Sequence, residues 1–363
     1  MSAGMEIGAA VGKTIFIVMF ALSLGGLLTW VERKQSAVMQ DRIGANRASI
    51  LGFRVWGLFH IIADAVKMFT KEDFVPDTPH KFIHALAPVL SIFFALLSFA
   101  VIPFGSSIVI AGQSIGLQVA DVNVGILFIF AMMSVAVYGV VLAGWSSNNN
   151  YSLLGGVRAT AQMISYEITF GLTLVGVIMI FQTLSLQEIV RAQGGLLFGF
   201  LPMWGVFLQP LGFLLFMTAA IAETKRIPFD IPEGESEIIG FFLEYSSMKF
   251  GMFMFADFIE QILVASMVTT FFFGGWQVPY LGDGGFVFPW GSTIDMNTWL
   301  VESLRVISFV LKVSFFCWLQ MLIRWTLPRF RFDQLMNLGW KILLPLSLAN
   351  ALVTAIIVLW IGR

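Results

Sequence analysis

Eight stretches of this chain are apolar for about twenty residues each, long enough to cross a lipid bilayer, and this restricts the fold more than any motif does. They fall near 14–31, 81–104, 121–143, 159–181, 199–222, 250–273, 303–324 and 340–361. A backbone in lipid must satisfy its own hydrogen bonds, so runs of this length are read as helices. With 58% hydrophobic residues and 37 Phe, a chain of 363 residues cannot clothe a water-soluble globule in polar surface. The expected fold is all-α: a polytopic membrane protein with about eight transmembrane helices plus amphipathic helices on the cytoplasmic side. Neither a Ser-, Gly- or Pro-rich linker nor an internal repeat divides the sequence, so 1–363 is expected to form a single membrane domain. The first run is too long, and too poor in flanking cleavage signals, to be a removed signal peptide.

The basic residues orient the bundle. The connections after runs one, three, five and seven carry roughly sixteen of the 21 Lys and Arg, which makes those loops cytoplasmic by the positive-inside rule. An even number of crossings then places both termini on the periplasmic side of a bacterial inner membrane. Acidic residues weigh little in this rule, so an acid-rich loop on the same side is no contradiction.

The first cytoplasmic connection is more than a tether. From Phe53 to Lys71, "FRVWGLFHIIADAVKMFTK" sets Trp56, Phe59, Ile62, Val66 and Phe69 at helical spacing, with Asp64, Lys67 and Lys71 off that face. It is too short and too charged to span, and reads either as an amphipathic helix at the membrane boundary or as a packed connector. Before it, "ERKQSAVMQDRIGANR" brings Glu32, Arg33, Lys34, Arg42 and Arg47 directly after the first span. Such a run serves as a topology signal, a docking surface or the polar rim of a ligand pocket.

Charges inside the apolar runs are costly, about 2.5–3.5 kcal/mol each on insertion scales, so they are expected to face protein or water and to mark an ion path. Glu167, Asp257, Glu260 and Lys312 lie in this position, whereas Arg305 sits near an outer end where snorkelling suffices. The densest acidic segment is "AETKRIPFDIPEGESEIIGFFLEY", residues 222–245, with Glu223, Asp230, Glu233, Glu235, Glu237 and Glu244. Pro228 and Pro232 deny helical hydrogen bonds, so the fifth helix should end near Arg226. After the bend a helix can resume, with Glu233 and Glu237 one turn apart and Glu244 two turns further on the same face. Interleaved Phe229, Ile231, Ile238, Ile239, Phe241 and Phe242 argue that these carboxylates are partly buried, forming a line from Glu223 toward Asp257 and Glu260.

Several chemistries are excluded or disfavoured. A single cysteine, Cys317, allows no internal disulfide and makes a cysteine-ligated cluster untenable. His80 and His84 have i, i+4 spacing, but a metal or haem site would need further converging ligands. No nucleotide loop or flavin motif occurs, so electrons would have to arrive from other chains.

At these residues the sequence becomes familiar. "AETKRIPFDIPEGESE", "EYSSMKF", "VERK", "QDRIGANR", "GLFHIIADAVKMFTKEDFVP" and "GWSSNNNYSLLGGVRATAQMISYE" resemble, over nearly the whole chain, the H-subunit family of NADH-quinone oxidoreductase, the membrane component of respiratory complex I that holds the quinone chamber. The resemblance implies eight membrane helices, a narrow quinone tunnel with a lipid-facing mouth, and an acidic path to proton channels. It implies no catalysis by this chain alone and no metal on it. Quinone, ubiquinone or menaquinone, would be the substrate, with FMN and iron–sulfur clusters on partner subunits. Its partners would be the peripheral iron–sulfur and quinone-site subunits, other membrane subunits and lipid, and not nucleic acid. On this reading Glu167, Glu223, Glu233, Glu235, Glu237, Glu244, Asp257 and Glu260 carry protons, while Arg33, Arg42, Arg47, Asp64, Lys67, Lys225, Arg226 and Asp230 line the chamber or dock partners. Two positions depart from the family pattern: Ala45 stands for the proline of Gly-Pro-Asn-Arg, and Lys225 for the Asn after Glu-Thr. The same membrane module would also suit an energy-converting hydrogenase, and a stand-alone ion-coupled transporter is the alternative from a different class.

Overall fold

The computed structural model describes residues 3–76, 80–110, 113–231 and 240–362, and its regular structure there is almost wholly helical. In chain order the helices are α1 (Ala3–Met39), α2 (Phe59–Thr70), α3 (Lys81–Leu97, prolonged by a 3-10 turn Ser98–Val101), α4 (Gly125–Ser146), α5 (Asn150–Phe181), α6 (Leu186–Ala192), α7 (Gly205–Leu208), α8 (Pro210–Glu223), α9 (Ser247–Phe272), α10 (Thr298–Thr326), α11 (Phe332–Asn337) and α12 (Leu344–Ile361). Among the described residues seven helical segments are long and apolar enough to span, the last running from Phe332 through a π-helical turn at Leu338–Leu343 to Ile361, and α8 is a shorter apolar helix. This is a polytopic all-α membrane protein, and the eight apolar runs correspond one by one to these segments.

The bundle has two unlike ends. At one, which we term the charged end, lie the C-termini of α1, α4, α8 and α10 and the N-termini of α3, α5, α9 and α11, with their basic connections. At the other, the hairpin end, lie three antiparallel two-stranded sheets: β1 (Ser107–Ile110) with β2 (Gln113–Gly116), β3 (Leu196–Leu197) with β4 (Leu201–Pro202), and β5 (Gly285–Val287) with β6 (Thr293–Asp295).

Helix α9 is the axis. It packs against α1, α2, α3, α6, α8 and α10, and 78% of its apolar window is buried, against 22% for the last span. Helix α5 is a second hub, against α4, α8 and α12. Small residues set these distances: a Cβ on Gly139 of α4 would fall 2.1 Å from Ser91 Oγ and 3.0 Å from the Ala87 carbonyl of α3. Close backbone approach is how membrane helices gain dispersion energy where lipid is as apolar as leucine. Outward faces of α1 and α12 remain apolar, including Ile15, Phe16, Ile356 and Leu359.

The fifth run differs most from expectation. In place of a helix over 199–222, Pro202, Pro210 and Gly199 break the segment into β3–β4, α7 and the fourteen-residue α8. At 1.5 Å per residue α8 is about 21 Å long, short of the ~30 Å apolar thickness of a bilayer. Its C-terminus at Glu223, three residues before the expected stop, therefore lies inside the protein, and the following backbone stays buried: Lys225, Arg226, Phe229, Asp230 and Ile231 are all inaccessible. Irregular backbone at such depth is tolerated when protein surrounds it.

The amphipathic helix forms, but begins at Phe59 rather than Phe53, after a turn with Trp56 and Gly57 at positive φ. Its Ile62, Val66 and Phe69 point away from the bundle, whereas Met68 touches Gly251 of α9 and Ile61 touches Gly26 of α1. The apolar face is therefore presented outward, as an interfacial helix requires and a packed connector does not.

Candidate functional site

The short α8 ends at Glu223 with its side chain inside the bundle, and the residue is 2% exposed. Among the described residues neither carboxylate oxygen has a hydrogen-bond partner. Glu223 feels the charges of Glu167, Glu260 and Lys225. Beside it lies a cavity of about 10 Å³ lined by Glu223, Thr224 and Glu260, with Ala95, Met133 and Leu263 among its apolar walls. That volume matches about one water molecule.

Helix α9 supplies two acids one turn apart. Asp257 Oδ1 and Glu260 Oε2 both receive Lys225 Nζ, at 3.1 and 3.3 Å, and the lysine side chain is 4% exposed. Lys225 is thus an ion-pair partner of both acids of α9. Glu167 of α5 accepts a short hydrogen bond from Ser134 of α4. Because α5 starts at Asn150 rather than near 159, Glu167 stands at mid-helix, deeper than the hydropathy window implies.

The loop after α8 is fastened from several sides. Gln162, fully buried on α5, donates from Nε2 to the carbonyls of Ala222 and Phe229, both at 2.7 Å. Arg226 Nη1 meets Glu32 Oε2 at 3.2 Å and its guanidinium lies 4.4 Å from the Phe258 ring centroid. Glu32, about two turns before the end of α1, also pairs with Arg324 of α10 at 2.8 Å, and Asp230 pairs with Arg329 at 2.7 Å. Breaking one member of such a buried pair costs about 3–5 kcal/mol, because the other charge is left without compensation. Around the same end, Arg33 bonds Asp64 at 2.7 Å with Lys67 at 3.9 Å, which ties α1 to α2. Arg42 and Arg47 remain exposed.

Glu244 departs from the sequence reading. Residues 241–244 form turns rather than a resumed helix, and Glu244 accepts from Asn149 Nδ2 at 2.7 Å beside an open polar cavity of about 330 Å³ lined by Ser147–Tyr151 and Pro76. The line of acids on one helical face therefore does not extend to Glu244. Glu233, Glu235 and Glu237 lie outside the described residues.

Two intramembrane cations lie outside this group. Lys312 Nζ donates to the carbonyls of Phe273, Gly275 and Gln277, at 2.9, 3.0 and 2.7 Å, and lies 4.9 Å from the Trp204 ring centroid. It holds the chain just after the C-terminus of α9, where a cation offsets the helix dipole. Arg305 does not snorkel: it is 4% exposed, paired with Glu302 at 2.5 Å and with Asp283 at 2.8 Å. His80 stacks on Trp145 and His84 on Tyr245, so the two rings face different partners. Among the described residues no three His, Cys, Asp or Glu converge as metal ligands.

Sequence reasoning missed Gln162, Glu32, Arg324, Arg329 and Glu302 as parts of these networks. Gln162 carries no local signal, since its partners are backbone carbonyls about sixty residues away. Glu32 had one: an acid amid the basic run that closes a spanning helix.

The family profile described as NADH dehydrogenase matches residues 12–355. The chain is 44% identical over 351 residues to the NADH-quinone oxidoreductase H subunit 1 of Cytophaga hutchinsonii, covering 96% of each chain. It is 41% identical over 352 residues to the NADH-quinone oxidoreductase H subunit of Flavobacterium johnsoniae, covering 96% of this chain and 95% of that one. It is also 44% identical over 355 residues to the NADH-quinone oxidoreductase H subunit 2 of Geobacter sulfurreducens, covering 98% and 97%.

Proposed function

As a member of the NADH dehydrogenase family, the chain is a membrane subunit of a multisubunit NADH-quinone oxidoreductase, and from that premise we propose that it forms the membrane wall of the quinone chamber and couples quinone reduction to proton translocation. The observation that supports this reading is the acid group: Glu223, buried and without a hydrogen-bond partner among the described residues, shares a water-sized cavity with Glu260, within electrostatic reach of Glu167. Reduction of a quinone adds negative charge, and closely spaced carboxylates that cannot all ionise cheaply respond by taking up or passing on protons. Quinone reduction itself would use electrons from FMN and iron–sulfur clusters on peripheral partner subunits. The isoprenoid tail would reach the chamber past the outward apolar face of α2. Glu32, Arg33, Asp64, Lys67, Arg226 and Asp230 would form its polar walls, while exposed Arg42 and Arg47 would dock carboxylates of a peripheral subunit. Glu233, Glu235 and Glu237 would continue the path toward the chamber. In this reading the charged end faces the cytoplasm of a bacterial cell and both termini face the periplasm.

The test is extraction in mild detergent, cluster reduction by NADH, and photolabelling with a quinone carrying a reactive tail. Labelled peptides within residues 32–71, competed by unlabelled quinone, are expected. An assembly reduced by hydrogen but not by NADH, or labelling confined to the hairpin end, would overturn the proposal.

A further inference from the structure

We propose that Lys225 is a positioning residue of the acid line: its ammonium holds Asp257 as a fixed counter-charge and leaves Glu260 as the carboxylate that exchanges a proton with Glu223. The inference rests on the proton-path reading above and divides the labour within it. Asp257 and Glu260 lie at i and i+3, so they emerge from the same face of α9, where two buried carboxylates would repel. Lys225 Nζ sits between them at 3.1 and 3.3 Å. Its backbone is left-handed, with φ at 54°, an unfavourable state for a residue bearing a Cβ that persists when surrounding contacts over-determine it.

The cavity then separates the two acids. Glu260 lines it together with Glu223; Asp257 does not. A proton leaving the Glu223 carboxyl through one bridging water protonates the Glu260 carboxylate. Glu223 becomes the carboxylate, and Lys225 keeps its three protons. One ammonium and two carboxylates carry a net single negative charge, so the group on α9 has one place for an incoming proton. Asp257, held by the lysine and absent from the cavity lining, is the acid spared from that exchange.

This makes a charge-matched prediction in the intact assembled complex, read as protons translocated per NADH oxidised. Lys225→Gln is expected to lower that yield at least about tenfold, the loss of one well-placed group in a transfer step. Lys225→Gln with Asp257→Asn restores the net charge and keeps Glu260, and is expected to return to within about twofold of wild type. Lys225→Gln with Glu260→Gln restores the same charge but removes the exchange partner, and is expected to stay low. Should the single variant fail to assemble, the two double variants carry the comparison. Equal yields in the two doubles, a wild-type yield in Lys225→Gln, or failure of the Asp257 double to assemble overturns the proposal. Glu223→Gln measured alongside separates the levels: wild-type turnover and proton uptake per assembled complex there refute the proton path itself, whereas a lowered value with doubles that behave alike refutes the role of Lys225 alone.

Discussion

Replacing Gln162 with Leu removes the clamp that holds the chain just after Glu223, at nearly constant side-chain size. The wild-type amide satisfies two carbonyls, those of Ala222 and Phe229, and the side chain is fully buried. Both carbonyls keep one backbone donor, the Lys225 and Ile231 amides, so what is lost is the net worth of two hydrogen bonds at about 0.5–1.5 kcal/mol each, about 1–3 kcal/mol together. The middle of that range applies, because Lys225, Arg226 and Asp230 still tether the loop through their ion pairs. A local opening made easier by about 2 kcal/mol speeds amide exchange about thirtyfold. The reporters are the Lys225 amide, which donates to Ala222, and the Phe229 amide, which donates to Arg226. Hydrogen–deuterium exchange on the assembled complex should show that acceleration over 224–231 and none in α12 beyond its π turn. Proton yield should fall with it, since Glu223 loses its fixed position. Exchange at Lys225 and Phe229 within about threefold of wild type would refute the claim that Gln162 holds the site, because two lost hydrogen bonds cannot be that quiet.

Other outcomes follow from the same contacts. Lys312→Met strips three carbonyls at the end of α9 of their donor, so the amount of assembled complex should fall on heating while the proton yield of each surviving complex stays at wild type; a lowered yield at full assembly would return Lys312 to the ion path. Because Cys317 is fully buried, single cysteines at Thr70 and Ser292, both exposed, give clean topology reporters: a membrane-impermeant thiol reagent in the periplasm should label Ser292→Cys alone, and the reverse pattern would invert the orientation. Arg42→Ala with Arg47→Ala should weaken association of peripheral subunits or raise the apparent KM for quinone while insertion is unchanged; unaltered assembly and kinetics would reduce this loop to a topology signal.

The spans were legible because hydropathy over about twenty residues is a direct readout of the lipid solvent. Their ends were not. Helix α1 continues through Glu32, Arg33 and Lys34 to Met39 because backbone hydrogen bonding does not stop where apolarity does. Proline explains why α8 starts as late as Pro210, and its shortness, invisible to a window average, is what carries Glu223 inward. Clustering of acids on α8 and α9 could be anticipated from composition, since intramembrane charge is costly enough to be placed on purpose. Partners made of backbone carbonyls, as for Lys312 and Gln162, leave no mark in residue type. Lys225 shows the opposite case: its departure from the family pattern was visible, and its meaning emerged when α9 brought Asp257 and Glu260 within reach of its Nζ.

The central claim is that Glu223 carries protons rather than merely filling space at the end of α8. Glu223→Gln preserves size and hydrogen-bonding capacity while removing the titratable proton, and it is best measured as quinone turnover and proton uptake per assembled complex, with cluster reduction by NADH as the control for electron input. The account predicts normal assembly and normal cluster reduction with turnover, proton uptake or both lowered about tenfold or more, equivalent to about 1.4 kcal/mol of barrier. Wild-type values for both, at equal assembly, would contradict it.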